Sequence, residues 1–141
     1  MLKVEIYTDG ACKGNPGRGG WGAILICMNR KKILNGSKEL STNNEMELTA
    51  VVEALNSIKN PCEITLYTDS KYVVEGVNSW RHSWKQNNWK NSQKKQIANY
   101  DLWLKCDELV EKLNPKLVWV KGHNGNFFNE EVDKIASNAC S

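Results

Sequence analysis

The 141-residue chain has no long apolar run: the longest is the six residues Ala23–Met28, far below the ~18 needed to span a bilayer. Its first ten residues already carry Lys3, Glu5 and Asp9, which leaves no apolar secretory core. The expectation is a soluble, cytoplasmic protein. The cysteines are few and unpaired in spacing. Cys12, Cys27, Cys62, Cys106 and Cys140 are an odd set with no C-x-x-C, so a disulfide framework or a thiolate zinc site is not expected. Cys27, Cys62 and Cys106 read as packing residues. Repeats, linkers and low-complexity segments are also absent, so residues 1–141 read as one domain. With 40% hydrophobic and 25% charged residues, the composition is that of an ordinary globular protein and argues against disorder.

Net charge is only +3, but it is unevenly spread. Residues 76–100 contain Arg81, Lys85, Lys90, Lys94 and Lys95 and no acid. Trp80, Trp84 and Trp89 are interleaved with them. Basic residues mixed with aromatics suit nucleic acid, which offers phosphates and stackable faces; the plainer alternative is a solvated arm. Trp80 and Trp84 continue the helical spacing of Val73 and Val77, so anchoring the arm to the body competes with substrate contact.

Periodicity gives a coarse order of elements. Val4, Ile6 and Thr8 alternate with Glu5 and Tyr7, a strand over 2–8. Residues 10–22 read as a glycine-rich loop, Ala23–Met28 as a buried strand and 32–37 as a third strand. A helix capped near Asn43 or Asn44 carries the stripe Val51, Ala54, Leu55 and Ile58 and is broken at Asn60-Pro61. Glu63–Thr68 is the fourth strand, Tyr72–Trp84 is helical, and residues 85–98 form a polar, basic excursion. A helix over Asp101–Leu113, a strand over Lys116–Lys121 and a helix over Asn129–Ala139 complete the chain. Three consecutive strands followed by strand–helix alternation predict an α/β fold, with a mixed sheet covered by helices.

Two strands end alike, in Tyr7-Thr8-Asp9-Gly10 and Tyr67-Thr68-Asp69-Ser70. Laid side by side and parallel, they bring Asp9 and Asp69 to one sheet edge, where ligands bind in open α/β sheets. Either aspartate alone is equally a turn or helix-cap residue. Glu47 shares the stripe of Val51, Ala54 and Leu55, where a carboxylate is costly unless paired or bound to a cation; its alternative is a capping box with Asn44. Asp133 borders the apolar stripe of the last helix. Four inward acids with no basic partner on these stripes would raise one another's pKa, and divalent cations would relieve this. All-oxygen ligation favours Mg²⁺ or Mn²⁺ over zinc. His123, between Gly122 and Asn124-Gly125, follows a strand and titrates near neutrality; it is either a cleft residue or a surface-loop histidine. The run Gly17-Arg18-Gly19-Gly20-Trp21-Gly22 matches G-x-G-x-x-G, but it leads into a strand instead of opening a helix, which excludes a dinucleotide site.

Together, Tyr7-Thr8-Asp9-Gly10-Ala11-Cys12 with Gly14-Asn15-Pro16-Gly17, Thr42-Asn43-Asn44 with Met46-Glu47-Leu48, Tyr67-Thr68-Asp69-Ser70, Trp119-Val120-Lys121-Gly122-His123, and Asn129-Glu130 with Asp133 resemble bacterial type I ribonuclease H nearly end to end. The resemblance implies a ribonuclease H-like five-stranded mixed sheet, with strands one to three antiparallel and strands one, four and five parallel. Helices flank it, and a basic helical protrusion stands out from it. The implied activity is hydrolysis of the RNA strand of RNA–DNA hybrids by two Mg²⁺ ions, with Mn²⁺ as substitute, leaving 3′-hydroxyl and 5′-phosphate ends. Asp9, Glu47, Asp69 and Asp133 fall on the family's metal-binding acids and His123 on its mobile histidine. Cys12, Asn15, Asn43 and Asn44 match residues lining the hybrid's minor groove. Thr42, Ser70 and Asn99 match a pocket for a DNA-strand phosphate. Trp80, Trp84 and Trp89 with Lys85, Lys94 and Lys95 match the protrusion that grips the DNA strand.

Three departures stand out. Glu45 occupies a position that is often basic, Lys71 replaces a common glutamine near the scissile strand, and Phe127-Phe128 replaces a more polar pair. No hybrid-binding segment precedes Met1, so processive action is not expected; nor is an obligate protein partner, and the chain reads as a monomer. The rival readings are a catalytically silent hybrid-binding module, a related DNA nuclease and, more distantly, a cofactor-binding α/β protein.

Overall fold

The computed structural model describes residues 1–122 and 125–141. Strands β1 (Lys3–Gly14), β2 (Gly17–Cys27), β3 (Arg30–Ser41), β4 (Glu63–Thr68) and β5 (Lys116–Trp119) form one sheet in the order β3-β2-β1-β4-β5. β1–β2 and β2–β3 are antiparallel, while β1–β4 and β4–β5 are parallel. This is the mixed sheet expected from the sequence. Helix α1 (Asn43–Asn56) and helix α4 (Tyr100–Leu113) pack together, and α5 (Phe127–Ala139) lies against β1 and β2.

The two-residue period of the strands sorts side chains between two cores. Val4 and Ile6 of β1, Leu25 of β2 and Leu66 of β4 join Val51 and Leu55 of α1 and Trp103 and Leu109 of α4. Tyr7 and Ile24 instead meet Val132 of α5, with Tyr67, Phe128 and Ile135 around them.

Residues 10–22 are not a loop. They form the distal halves of β1 and β2, paired from Gly10↔Trp21 to Gly14↔Gly17 and joined by a turn at Asn15-Pro16. Their glycines are there for close approach: a Cβ on Gly20 would lie 2.5 Å from the carbonyl oxygen of Ala136 and from the amide nitrogen of Cys140. Helix α5 therefore rests directly on the β2 backbone. β3 likewise runs well beyond 32–37.

Helix α1 is capped by Thr42, not by Asn43 or Asn44: the Thr42 hydroxyl accepts a hydrogen bond from the Glu45 amide at 3.2 Å. The helix stops at Asn56, four residues short of Asn60-Pro61, with Ser57 as its C-cap. β5 ends at Trp119, and α5 begins at Phe127, where the Asn126 side chain accepts from the Phe128 and Asn129 amides.

The helical stretch after β4 has three parts: α2 (Lys71–Glu75), a π-helical turn (Gly76–Trp80) and α3 (Arg81–Gln86). The chain then forms the arm, with a bridge between Lys90 and Gln96, before α4. Rings fasten this arm to the body. Trp84 meets Trp103 edge-on at 5.1 Å, and Trp89 meets Tyr100 at 6.3 Å.

Candidate active site

Parallel pairing of β1 with β4 places Tyr7 opposite Tyr67. Two residues further on stand Asp9, mid-way along β1, and Asp69, just past the end of β4. Glu47 arrives from α1. Gly10 makes this approach possible, because a Cβ there would stand 2.4 Å from the Glu47 amide nitrogen and 2.6 Å from the Met46 carbonyl carbon. The Gly10 amide, freed from side-chain crowding, donates to both Asp9 Oδ1 and Glu47 Oε1. Asp9, Glu47 and Asp69 can each direct one carboxylate oxygen so that all three lie within 4.8 Å of one another. Asp133 reaches the same cleft from α5 and hydrogen-bonds the Asp9 side chain.

Asp9 and Glu47 are 7% and 5% exposed. Burial raises the Asp9 pKa, reinforced by the hydrogen bond to Glu47 and the negative charges of Glu47 and Asp69. The Glu47 pKa is raised too, chiefly by burial and then by Asp69, against hydrogen bonds from Asp9, Gly10 and Ser70 that favour its charged form. Two adjacent buried carboxylates cannot both ionise freely. Such a group could hold a divalent cation in place of a proton. Glu47 is thus not a capping residue; the helix already has Thr42 for that.

The other site candidates fall into three groups. On the rim, the Cys12 thiol lies within hydrogen-bond reach of the carbonyls of Gly17 and Ser41, 3.4 and 3.3 Å away, and can donate to either, and the Asn15 side chain accepts from the Asn43 main-chain amide at 2.9 Å. Asn43 and Asn44 line the cleft with Ser70 and Lys71. Ser70 caps α2, accepting from Val73, and Asn99 donates its amide to the Tyr72 hydroxyl at 3.0 Å.

On the arm, Trp80 is exposed and edge-on to Tyr72, while Trp84 and Trp89 are half-buried. Lys94 and Lys95 lie on the exposed outer turn. Lys85 does not share their freedom. Its ammonium sits 2.8 Å from Asp107 and 3.0 Å from Glu111, and the buried Arg81 binds the same two carboxylates at 2.9 and 2.7 Å. Two of the five basic residues of the segment 76–100 are therefore paired with carboxylates of α4. The i,i+4 spacing of Asp107 and Glu111 is the sequence signal for it.

The third group is the loop before α5. His123 lies outside the described residues. Its neighbour Gly122 abuts Asp69: a Cβ there would lie 2.8 Å from Asp69 Oδ2. Glu45, the acid in an often basic position, is held by Lys38 and by the Ser41 hydroxyl, which keep its carboxyl below the usual range despite burial.

The chain matches the RNase H family over residues 1–141. The chain belongs to the ribonuclease H family. A ribonuclease H from Erythrobacter litoralis is 53% identical, the match covering 99% of this chain and 97% of that protein. A ribonuclease H from Novosphingobium aromaticivorans is 50% identical over 99% and 98% of the two chains. Among solved structures, LC9-RNase H1, described as a type 1 RNase H with the type 2 active-site motif, superposes with a TM-score of 0.89 at 29% identity, over 99% of this chain and 72% of that one. Within this ribonuclease H fold the acid cluster of Asp9, Glu47 and Asp69 sits where β1 and β4 part. No described helix is long and apolar enough to cross a membrane.

Proposed function

We propose that the chain is an endoribonuclease that hydrolyses the RNA strand of RNA–DNA hybrids with two Mg²⁺ ions held by Asp9, Glu47, Asp69 and Asp133, giving 3′-hydroxyl and 5′-phosphate ends. The observation that carries this reading is the group of three converging acids, two of them buried, in a chain of this family. The donor set fits the metal: every ligand is a carboxylate oxygen, suited to a hard divalent cation. Mn²⁺ meets the same demand.

Asp9, contacted by Glu47 and Asp133 alike, would hold the ions together with Glu47, Asp69 and Asp133. When bound, the ions supply an activated water and charge stabilisation on the departing 3′-oxygen. The chain's own residues do the rest. The Gly10 amide and the Ser70 hydroxyl orient Glu47. Asn15, Asn43 and Asn44 offer donors and acceptors for the 2′-hydroxyls by which RNA differs from DNA. Cys12 orders the rim beside them. Thr42, Ser70 and Asn99 receive a DNA-strand phosphate. Trp80, Trp84 and Trp89 present faces for sugars and bases, with Lys94 and Lys95 as phosphate partners. His123 serves as proton shuttle or product-release group. The enzyme acts as a monomer in the cytoplasm, as a single catalytic domain.

The test is incubation with end-labelled RNA–DNA hybrid, duplex DNA and duplex RNA, with and without EDTA. The expected result is metal-dependent loss of the RNA strand from the hybrid alone. Cutting of duplex DNA would transfer the chain to the rival nuclease reading, and hybrid binding without cleavage would make it a binding module.

A further inference from the structure

Lys71 is the one basic side chain among the described residues lining the cleft that holds Asp9, Glu47 and Asp69. Its place is unfavourable for a lysine. It is the first residue of α2, where the positive end of the helix dipole disfavours a cation by roughly 0.3–1 kcal/mol. Its ammonium lies over the indole of Trp119, 5.0 Å from the ring centroid. Trp119 in turn is 42% exposed and belongs to neither hydrophobic core. Core packing does not explain an open indole at the end of β5. Its second contact does: Trp119 Nε1–H donates to the main-chain carbonyl of Asp69 at 3.0 Å. One ring thus holds the backbone of a cleft acid and carries the cation two residues beyond it.

We propose that Trp119 is a positioning residue that docks the Lys71 ammonium at the cleft, and that Lys71 contacts the RNA-strand phosphate at the cut. This rests on the ribonuclease reading and adds to it a cation that belongs to the chain itself. Hydrolysis places extra negative charge on the oxygens of the reacting phosphate. A fixed ammonium beside them stabilises that charge more than it stabilises the resting diester. A free lysine would surrender rotamer entropy on binding; laid on an aromatic face, it has already surrendered part of it, in exchange for a cation–π contact. Lys94 and Lys95, on the exposed outer turn of the arm, are under the same reading partners of the DNA strand.

The experiment compares Lys71→Gln, Trp119→Leu, Trp119→Phe and the Lys71→Gln/Trp119→Leu double variant. Each is checked for an unchanged fold by circular dichroism. In steady-state cleavage, Lys71→Gln is expected to lower kcat about tenfold while KM moves less than about threefold. Trp119→Leu is expected to do nearly the same. Trp119→Phe, which keeps a ring face but loses the bond to Asp69, is expected to recover most of the rate. The double variant should be no worse than Lys71→Gln alone to within about twofold, because the two residues act as one unit.

A second readout needs no catalysis. With EDTA present, the slope of log affinity for hybrid against log salt should shrink by about one phosphate's share in Lys71→Gln, ~0.7–0.9. A Lys71→Gln enzyme with parental kcat and parental salt slope overturns the inference and leaves the ribonuclease reading standing. Losses that multiply in the double variant overturn the role of Trp119. A parent that fails to cut hybrid, with the slope change intact, fells the ribonuclease reading and keeps the Lys71–phosphate contact.

Discussion

Tyr7 and Tyr67 occupy the same rung of the parallel β1–β4 ladder, their rings stacked with centroids 4.9 Å apart. That rung sets the active site. Counting two residues forward on each strand brings both chains to an aspartate on the same face, so strand register alone brings Asp9 beside Asp69. Glu47 is then delivered by the tight seat of α1 over Gly10. The cost is two raised carboxylate pKa values in a largely buried site, and this cost is what a divalent cation relieves.

Asp9→Asn and Asp69→Asn should abolish hybrid cleavage while leaving hybrid binding largely intact, since phosphate neutralisation by basic residues supplies most of the affinity. In metal-free buffer, Asp9→Asn should also raise the melting temperature. It removes one member of a repelling buried pair, an effect of about 1 kcal/mol or roughly 3 °C for a domain of this size. A variant both inactive and less stable than the parent would show that Asp9 is a structural residue.

The metal-free protein should lose stability as the pH rises. Asp9 and Glu47 have folded-state pKa values above their unfolded ones. Their contribution is therefore full below the unfolded carboxylate range and declines as the pH climbs through the folded values. Millimolar Mg²⁺ binds the ionised folded site and opposes this loss. The Mg²⁺-induced rise in melting temperature should be larger at pH 8 than at pH 5. Equal shifts at both pH values would indicate that the ion binds elsewhere.

The arm's lysines should separate by role. Lys94→Ala with Lys95→Ala should cut the salt slope of hybrid binding by about two phosphates' share. Lys85→Ala should leave that slope unchanged, because its ammonium is already engaged by Asp107 and Glu111. Arg81→Met should destabilise the protein by about 1–3 kcal/mol, since it strips two carboxylates of a buried partner. Urea denaturation checks the last, and fluorescence anisotropy at several salt concentrations the first two.

Gly10→Ala should fold poorly or lose Mg²⁺ affinity. The added methyl meets main-chain atoms of Met46 and Glu47, which cannot swing aside as a side-chain tip can. Calorimetric titration with Mg²⁺ reads the loss directly, and parental affinity would mean that α1 can retreat without moving Glu47.

The carboxylates were legible in the sequence because two local signals repeat there. The shared Tyr-Thr-Asp ending fixes register, and the helical stripe fixes the direction of Glu47. The glycines of residues 17–22 misled for a physical reason. Glycine marks turns, but it equally marks places where two backbones touch, and only the docking of α5 on β2 distinguishes the two. The neutralisation of Arg81 and Lys85 was hidden for a similar reason. Asp107 and Glu111 show their spacing along α4, yet nothing local says which helix they face. Trp119 stands in a run that carries the family resemblance, but its part is not legible there, because it lies in contacts with Asp69 and Lys71, residues distant in the chain.

The most direct test is crystallographic. Crystals grown with an RNA–DNA hybrid and Mn²⁺, using an Asp133→Asn variant to slow turnover and the parent with a non-cleavable strand, would be examined for anomalous scattering. In the parent complex the account predicts two peaks ~3.5–4 Å apart, both in contact with Asp9, with the Asp133-side peak weakened or absent in the variant. A parent complex whose manganese peaks lie away from Asp9, Glu47 and Asp69 would contradict it.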